Sequence, residues 1–235
     1  DYTPGSMIFF NSKGKQIAEL GTAYQQEKYG AETIQIKRTN LNKHARRAAE
    51  AAGIKIVYDK KFVRYEETKD QVVAHFADGT SATGSIMFGC DGMFSEVRYQ
   101  LFPEKPALKY TRLISTGGYA NIPELSKPLD SIRMTFCKRG FFAYSVSDRG
   151  EVWWFNNYYR EQPPKPKEIE KTLKTEIQNH LINVHKNDNP LFSQIIKNSH
   201  EIIAYPIYDV PRLSQWHKGR VCLIGDAAHG ISPHI

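Results

Sequence analysis

The residues of this chain best suited to chemistry lie in the segment from Gly219 to His229, Gly-Arg-Val-Cys-Leu-Ile-Gly-Asp-Ala-Ala-His. The apolar run over 221–224 predicts a buried parallel strand, which Gly225 and Asp226 end abruptly. Glycine lets the backbone approach a ligand, and a carboxylate at the carboxyl end of a strand can accept hydrogen bonds from ribose or ribityl hydroxyls. The segment therefore predicts a nucleotide cofactor site, although an ordinary strand-to-loop junction produces the same string.

A second segment of this kind runs from Gly89 to Arg98, Gly-Cys-Asp-Gly-Met-Phe-Ser-Glu-Val-Arg, directly after a short apolar run. Asp91 and Gly92 predict a tight turn, and Ser95 predicts the N-cap of a helix. Such a turn presents backbone N–H groups toward an anion. A strand-turn-helix connection without any ligand remains the alternative at this point.

Two further side chains are candidates for a role in binding or catalysis. Arg38 precedes a predicted helix, where its guanidinium and the positive potential of the helix N-terminus can both favour a phosphate. The alternative is an ordinary surface arginine. His229 has the chemistry of a base, but no partner for it is visible, so a histidine held beside a loop backbone is the favoured interpretation.

The order of Arg38, the Gly89–Arg98 segment and the Gly219–His229 segment resembles the single-component flavoprotein monooxygenases of the p-hydroxybenzoate hydroxylase type. Their fold implies an α/β protein, here part of an FAD/NAD(P)-binding Rossmann-like domain with an antiparallel-sheet (α+β) substrate domain. Their activity implies FAD, with NADPH or NADH as reductant. O₂ would then hydroxylate a small, aromatic substrate through a flavin C4a-hydroperoxide.

The resemblance also implies which residues bind the cofactor. The Asp-Gly motif would lie near the FAD pyrophosphate and the path of NAD(P)H, and the Gly-Asp motif would bind the ribityl chain and pyrophosphate. The arginine before the helix would contact the flavin nucleotide, and one phenylalanine matches a position whose backbone touches the adenine side. The implied residues are Arg38, Phe62, Asp91, Gly92, Arg98, Gly225, Asp226, Ala227 and Pro233.

The chain departs from the family pattern in three respects. It contains no Gly-x-Gly-x-x-Gly turn after its first strand, and the glycine-rich turn expected after Pro233 is missing. Cys90 stands where alanine is more usual. These departures predict a piece of a longer protein that is inactive by itself. The other hypotheses are a related FAD-dependent reductase or halogenase, and a non-catalytic flavoprotein remnant that binds a ligand or partner. The halogenase option is weakened because Trp153 and Trp154 are adjacent.

Periodicity and turn residues predict the elements that position these segments. Asn11 to Gly14 predicts a hairpin, and Asn40 to Ala52 predicts a helix that Asn40 caps and Gly53 ends. The apolar residues Ile169, Leu173, Ile177 and Leu181 predict one amphipathic helix. The remaining predicted elements are strands over 33–37, 54–58, 62–66, 72–76, 82–88, 132–136, 141–146, 152–155 and 202–208, and a helix over 190–197.

This pattern divides the chain into two domains. Residues 1–106 and 209–235 are predicted to form the partial FAD-binding domain, and residues 107–208 the antiparallel-sheet substrate domain. The aromatic strands of the latter would supply the walls of the substrate site, although alternation lets only half of their side chains face it. Phe142, Tyr144 and Trp154 are the predicted substrate contacts. No acid or base is assigned, with Tyr144 and His229 left as possibilities.

Composition excludes several other classes of protein. The net charge is +7, but the lysines are dispersed and no aromatic-interleaved basic stripe occurs, so nucleic-acid binding is not expected. No apolar run approaches membrane-spanning length. The three cysteines are far apart, which predicts reduced thiols, a cytoplasmic location and no metal site.

Overall fold

The computed structural model describes residues 3–104, 107–125, 127–165, 167–172 and 174–233. Its strands are β1 (Ser6–Phe10), β2 (Gln16–Gly21), β3 (Phe62–Glu67), β4 (Val72–Phe76), β5 (Ser81–Gly84), β6 (Met87–Gly89), β7 (Lys109–Asn121), β8 (Ser131–Phe136), β9 (Gly140–Val146), β10 (Glu151–Tyr159), β11 (Ser199–Asp209), β12 (His217–Lys218) and β13 (Val221–Leu223). Its helices are α1 (Ala23–Tyr29), α2 (Arg38–Ala51), α3 (Glu96–Leu101), α4 (Glu168–Lys171), α5 (Lys174–Val184), α6 (Pro190–Lys197) and α7 (Asp226–His229). They form two compact units, residues 1–48 with 112–206 and residues 49–111 with 207–235.

The first unit is built on a seven-stranded sheet with the order β11-β7-β10-β9-β8-β1-β2. Strands β8, β9, β10 and β7 are successive antiparallel neighbours, and Trp154 of β10 lies opposite Gly118 on β7 and Tyr144 on β9. Strand β1 pairs antiparallel with β2 and parallel with β8. The predicted hairpin at Asn11 to Gly14 and the predicted antiparallel strands are therefore confirmed.

The structure groups residues 1–48 with this sheet, whereas the sequence grouped them with the FAD-binding domain. The cause is the pairing of β1 with β8, which satisfies the backbone N–H and C=O groups of both strands along five residue pairs. Such pairing between distant segments depends on the tertiary fold and leaves no local sequence pattern.

Helices α5 and α6 cover one face of the seven-stranded sheet. Helix α6 begins where predicted, because Pro190 occupies its first turn and the side chain of Asn189 accepts a hydrogen bond from the Leu191 N–H. The helices and the sheet bury a common apolar core. Its largest fully buried members are Phe142, Val146, Val152, Trp154, Leu181, Phe192, Ile195 and Ile196.

The single amphipathic helix predicted through Ile169 and Leu181 is wrong, because the structure has two helices there. Thr172, which follows α4, has an extended backbone with φ −73° and ψ 128°, and its hydroxyl donates to the Glu168 carbonyl. Leu173 lies outside the described residues. Ile177 and Leu181 of α5 do contact the core, as the pattern predicted.

The second unit contains two small sheets. Strands β6 and β13 are parallel, with Met87 opposite Val221 and Gly89 opposite Leu223, and β12 pairs with the other edge of β13. The buried strand predicted over 221–224 is thus confirmed as a parallel strand. Strands β3, β4 and β5 form a separate antiparallel meander. The core of this unit contains Val72, Val97, Leu101, Leu213, Val221, Leu223, Ala227 and Ala228.

Three of the strand predictions are wrong or only partly right. Residues 33–37 form only an isolated bridge at Gln35, and residues 54–58 are in no ladder, with Ile54 and Val57 more than half exposed. The strand predicted over 82–88 is divided, since β5 and β6 belong to different sheets. An apolar run becomes a strand only where a neighbouring edge is available to pair with it.

Candidate functional site

The turn after β6 has the predicted geometry. Ser95 caps α3, because its Oγ accepts a hydrogen bond from the Arg98 N–H at 2.9 Å. The carboxylate of Asp91 accepts hydrogen bonds from the Ser95 hydroxyl at 2.5 Å and from the Val97 N–H at 3.1 Å. Asp91 therefore holds the turn and the first turn of α3 in place, and Gly92 adopts a positive φ of 81° between them.

The turn after β13 leaves its carboxylate free. Gly225 has φ 58° and ψ −144°, a conformation that only glycine adopts readily, and a Cβ there would meet nothing within 4 Å. Asp226 begins α7 and is exposed, and its carboxylate has no hydrogen-bond partner among the described residues. The backbone of Gly225 thus borders open space beside an unpaired carboxylate.

The parallel pairing of β6 and β13 brings these two turns together. The Ile224 N–H donates to the Gly89 carbonyl at 3.0 Å, directly before the Gly-Asp motif. Gly89 permits this approach, because a Cβ there would lie 2.8 Å from a methyl carbon of Val97 and 3.0 Å from one of Leu223. In parallel sheets, ligands bind outside the carboxyl ends of the strands, which is the edge where both turns lie.

Arg98 joins the two turns through its guanidinium. Only 4% of this residue is exposed. Its Nη1 donates to the Ala227 carbonyl at 2.9 Å and its Nη2 to the Met93 carbonyl at 2.6 Å. The structure therefore gives Arg98 a positioning role, and the direct FAD contact implied by the resemblance stays a prediction.

Arg38, Phe62 and Pro233 are the remaining predicted cofactor residues. Arg38 is exposed and is the first residue of α2 in the first unit. The predicted N-cap at Asn40 is wrong, because α2 begins at Arg38 and Asn40 lies within its first turn. The Asn40 N–H donates to the Lys37 carbonyl. Phe62 begins β3 and packs against the core of the second unit, while Pro233 is exposed. Their contacts with FAD stay predictions.

His229 has an aromatic neighbour. Its ring stacks on Trp216, with centroids 4.9 Å apart and planes at 23°. The backbone N–H of His229 donates to the Gly225 carbonyl. These contacts support a histidine held beside the loop.

The structure buries the predicted substrate contacts Phe142, Tyr144 and Trp154, and their contact with a substrate stays a prediction. They occupy the helix-covered face of the sheet, where Phe142 and Trp154 are fully buried and stack 5.6 Å apart. Phe142 also stacks on Phe192 of α6 at 4.4 Å. Tyr144 is 7% exposed, and burial raises the pKa of its hydroxyl. Alternation put the three side chains on one face, and helix packing turned that face into core.

The opposite face carries the aromatic side chains of the alternate positions. The rings of Phe141 and Phe155 lie 5.4 Å apart, and those of Trp153 and Phe155 lie 5.2 Å apart. Asn157 lies beside them, opposite Phe141, and is 4% exposed. Neither the nitrogen nor the oxygen of its carboxamide has a hydrogen-bond partner among the described residues. The sequence analysis did not select Asn157 as a site residue, although a polar residue within a strand of aromatic residues could have indicated one.

A buried polar network lies on the helix-covered side. His185 Nδ1 is 3.0 Å from the Asp188 carboxylate, and its Nε2 accepts a 2.6 Å hydrogen bond from the Asn156 amide nitrogen. The Cys137 thiol lies close enough for these side chains to form a potential cation site. The hydrogen bonds of His185 with Asp188 and Asn156, and that from the Cys137 thiol to the Thr135 carbonyl, account for the cluster without an ion. His185 is therefore the neutral tautomer that donates from Nδ1.

This network predicts a pH-dependent stability. Burial lowers the pKa of His185 from its ordinary value of 6.5. The unfolded chain then binds the proton first as the pH falls, so stability is complete above about pH 6.5 and declines below it. We expect the urea midpoint of the full-length protein to fall less between pH 7 and 5 in His185→Gln than in the wild type. His44→Gln, at an exposed position, should keep the wild-type dependence, and an equal dependence in His185→Gln would contradict the assignment.

Two parallel strands that end in glycine turns leading into helices define a nucleotide-binding α/β unit. A family model described as FAD binding domain matches residues 4–235. The chain therefore belongs to this FAD binding domain family, and the resemblance to FAD-dependent aromatic monooxygenases is confirmed.

Several of the similar proteins are named as monooxygenases. The 6-hydroxynicotinate 3-monooxygenase of Bordetella bronchiseptica is 28% identical over 233 residues, covering 94% of this chain and 57% of that protein. Aurachin C monooxygenase/isomerase of Stigmatella aurantiaca is 25% identical over 96% of this chain and 56% of its own length. The chain thus spans somewhat more than half the length of these relatives.

Solved structures share the fold. The crystal structure of Klebsiella pneumoniae HpxO complexed with FAD and uric acid superposes with a TM-score of 0.81 at 22% identity. The match covers 98% of this chain and 58% of that one. This likeness supports a mixed α/β FAD-binding fold.

The residues of this chain fit part of an FAD molecule. Gly225 leaves room for a ligand against its backbone, and the free carboxylate of Asp226 matches the hydroxyl donors of a ribityl chain. These features fit the ribityl portion of FAD.

Proposed function

We propose that the protein containing this chain is an NAD(P)H-dependent FAD monooxygenase that hydroxylates a small aromatic substrate. The observation that carries the proposal is the adjacency of the two turns, with Gly225 in a glycine-only conformation beside the unpaired Asp226. Membership of the FAD binding domain family supports the cofactor, and the names of the relatives support oxygen transfer.

The bound FAD, once reduced by NADPH or NADH, would supply the activation of O₂ and the transfer of one oxygen atom. The protein's own groups bind and orient the cofactor. Asp226 would accept hydrogen bonds from ribityl hydroxyls, and Gly225 would let the chain lie against the backbone. Arg98 holds the Ala227 and Met93 carbonyls, so that the two turns keep their spacing.

The face of the sheet opposite the helices would contact the substrate. Phe141, Trp153 and Phe155 form a half-buried aromatic row, which suits an aromatic ring. The carboxamide of Asn157 offers both a donor and an acceptor. A hydroxylated nitrogen heterocycle, such as the 6-hydroxynicotinate in the name of one relative, presents the complementary pair.

Asn157→Leu tests this substrate assignment. The exchange preserves side-chain volume and removes two unpaired polar atoms, so we expect no loss of stability. KM for a hydroxypyridine substrate should rise about tenfold, which corresponds to about 1.4 kcal/mol, while FAD occupancy stays constant. Steady-state kinetics with Asn121→Leu, an exposed position at the end of β7, is the control. An unchanged KM in Asn157→Leu would remove Asn157 from the site.

The reaction is tested with the full-length protein. It should purify with bound FAD, and 6-hydroxynicotinate should stimulate both NADPH or NADH oxidation and O₂ consumption. Mass spectrometry should then find a product that has gained one oxygen atom. Reductant oxidation without an oxygenated product, for any hydroxylated heteroaromatic tested, would favour a reductase instead.

A cytoplasmic location is part of the proposal. Cys90, Cys137 and Cys222 are all free thiols, which suits a reducing compartment. Burial raises the pKa of Cys137 to about 12, so its thiol is unreactive at neutral pH. No helix among the described residues is long and apolar enough to span a membrane.

A further inference from the structure

A cavity lies within the first unit, and neither the cofactor assignment nor the substrate assignment uses it. Its volume is about 450 Å³. The β1–β2 hairpin, strands β8 and β9 and the loop before α6 all contribute to its lining. Tyr144 lines it as well, so this residue borders a cavity on the face opposite the one proposed for the substrate.

Arg133 lines this cavity, and one of its hydrogen-bond donors is unused. Its Nε is buried and has no hydrogen-bond partner among the described residues. A guanidinium binds a carboxylate side-on through Nε–H and one Nη–H, so an unpaired Nε–H is half of such a fork. Tyr144 lies opposite Arg133 on the neighbouring strand, and burial raises the pKa of its hydroxyl, so this neighbour brings no negative charge to the guanidinium.

The other lining residues add charge and apolar surface. Lys13, in the hairpin turn, brings a second cation. Phe10 and Phe192 provide aromatic walls, and the Phe10 ring centroid is 5.8 Å from the Arg133 guanidinium carbon. The one carboxylate of the lining, Asp188, already accepts hydrogen bonds from His185 and from the Lys138 N–H. Arg133 and Lys13 thus bring two cations to the lining, against one carboxylate that is already engaged, so an anion is favoured in the cavity.

We propose that this cavity is a second small-molecule site, which binds an aromatic carboxylate through Arg133 and Lys13 and contacts its ring through Phe10 and Phe192. The volume exceeds that of one benzoate, so a substituted ring also fits. The site is separate from the Gly-Asp and Asp-Gly turns, because every lining residue belongs to the first unit.

Benzoate is the probe, with the full-length, FAD-loaded protein. Calorimetry should find benzoate binding that leaves the flavin absorption spectrum unchanged, which separates it from binding beside the flavin. Arg133→Gln should weaken this binding at least tenfold, and Lys13→Gln should weaken it several-fold. Lys15→Gln, in the same hairpin but outside the lining, is the matched control.

Lys13→Gln still tests the proposal if Arg133→Gln fails to fold, because Lys13 is exposed and its replacement leaves the core unchanged. Benzamide, which has the ring without the charge, should bind at least tenfold more weakly than benzoate. Equal affinity for benzamide, or benzoate binding that neither variant weakens, would overturn the proposal. Inorganic phosphate that displaces benzoate with equal affinity would also overturn it, since the ring would then contribute nothing.

Discussion

Replacing Asp226 with alanine is expected to remove most of the FAD from the full-length protein. The carboxylate has no hydrogen-bond partner among the described residues, so the change breaks no internal contact that they make. Hydrogen bonds to a charged group contribute about 1.5 to 3 kcal/mol each, so the Kd for FAD should rise about 10- to 100-fold. Flavin absorbance of the purified variant and titration of the apoprotein measure this directly.

The unfolding midpoint of the apoprotein separates lost binding from lost structure. It should be the same in Asp226→Ala and in the wild type, because the side chain is exposed. Asp148→Ala, in an exposed turn of the first unit, should retain both FAD and stability. If Asp226→Ala keeps wild-type FAD occupancy, the Gly-Asp motif does not bind the ribityl chain.

Replacing Arg98 with methionine should first of all lower the free energy of unfolding. Methionine retains much of the side-chain volume, but it leaves the Ala227 and Met93 carbonyls without their donors in a buried site. Loss of two hydrogen bonds from a charged donor should cost about 3 kcal/mol of the free energy of unfolding. Urea denaturation of the apoprotein measures this loss.

A weakened affinity for FAD should accompany the loss, since the two turns are no longer held together. Saturating FAD should restore part of the lost stability, because a ligand that binds only the folded state stabilises it. Arg149→Met, at an exposed turn position, is the control for removing an arginine. A variant with wild-type stability and reduced FAD affinity would instead place Arg98 in direct contact with the cofactor.

These predictions depend on local features that the sequence carries. Local features that depend on the conformational preference of one or two residues could be predicted from the sequence. They are the turns at Asp91-Gly92 and Gly225-Asp226, the Ser95 cap and the helix start at Pro190. The hairpin at Asn11 to Gly14 follows from the same principle. The family resemblance depends on these motifs in order, and the match over residues 4–235 agrees with it.

Several roles could not be predicted, because they depend on contacts between distant segments. The hydrogen bond from the Arg98 guanidinium to the Ala227 carbonyl, 129 residues away in the sequence, is one such contact. Strands β1 and β2 could be assigned to the seven-stranded sheet only through the pairing of β1 with β8.

The sequence by itself thus determined the family, the positions of the turns at Asp91-Gly92 and Gly225-Asp226, and most of the strands. The tertiary structure decided which face of the aromatic strands is core. Strand alternation separates Phe142 and Trp154 from Phe141 and Phe155, but it does not say which pair is covered. Helices α5 and α6 packed on the first pair, because burying their apolar residues against it removes both surfaces from water. The second pair, with Asn157 beside it, lies on the opposite face of the sheet.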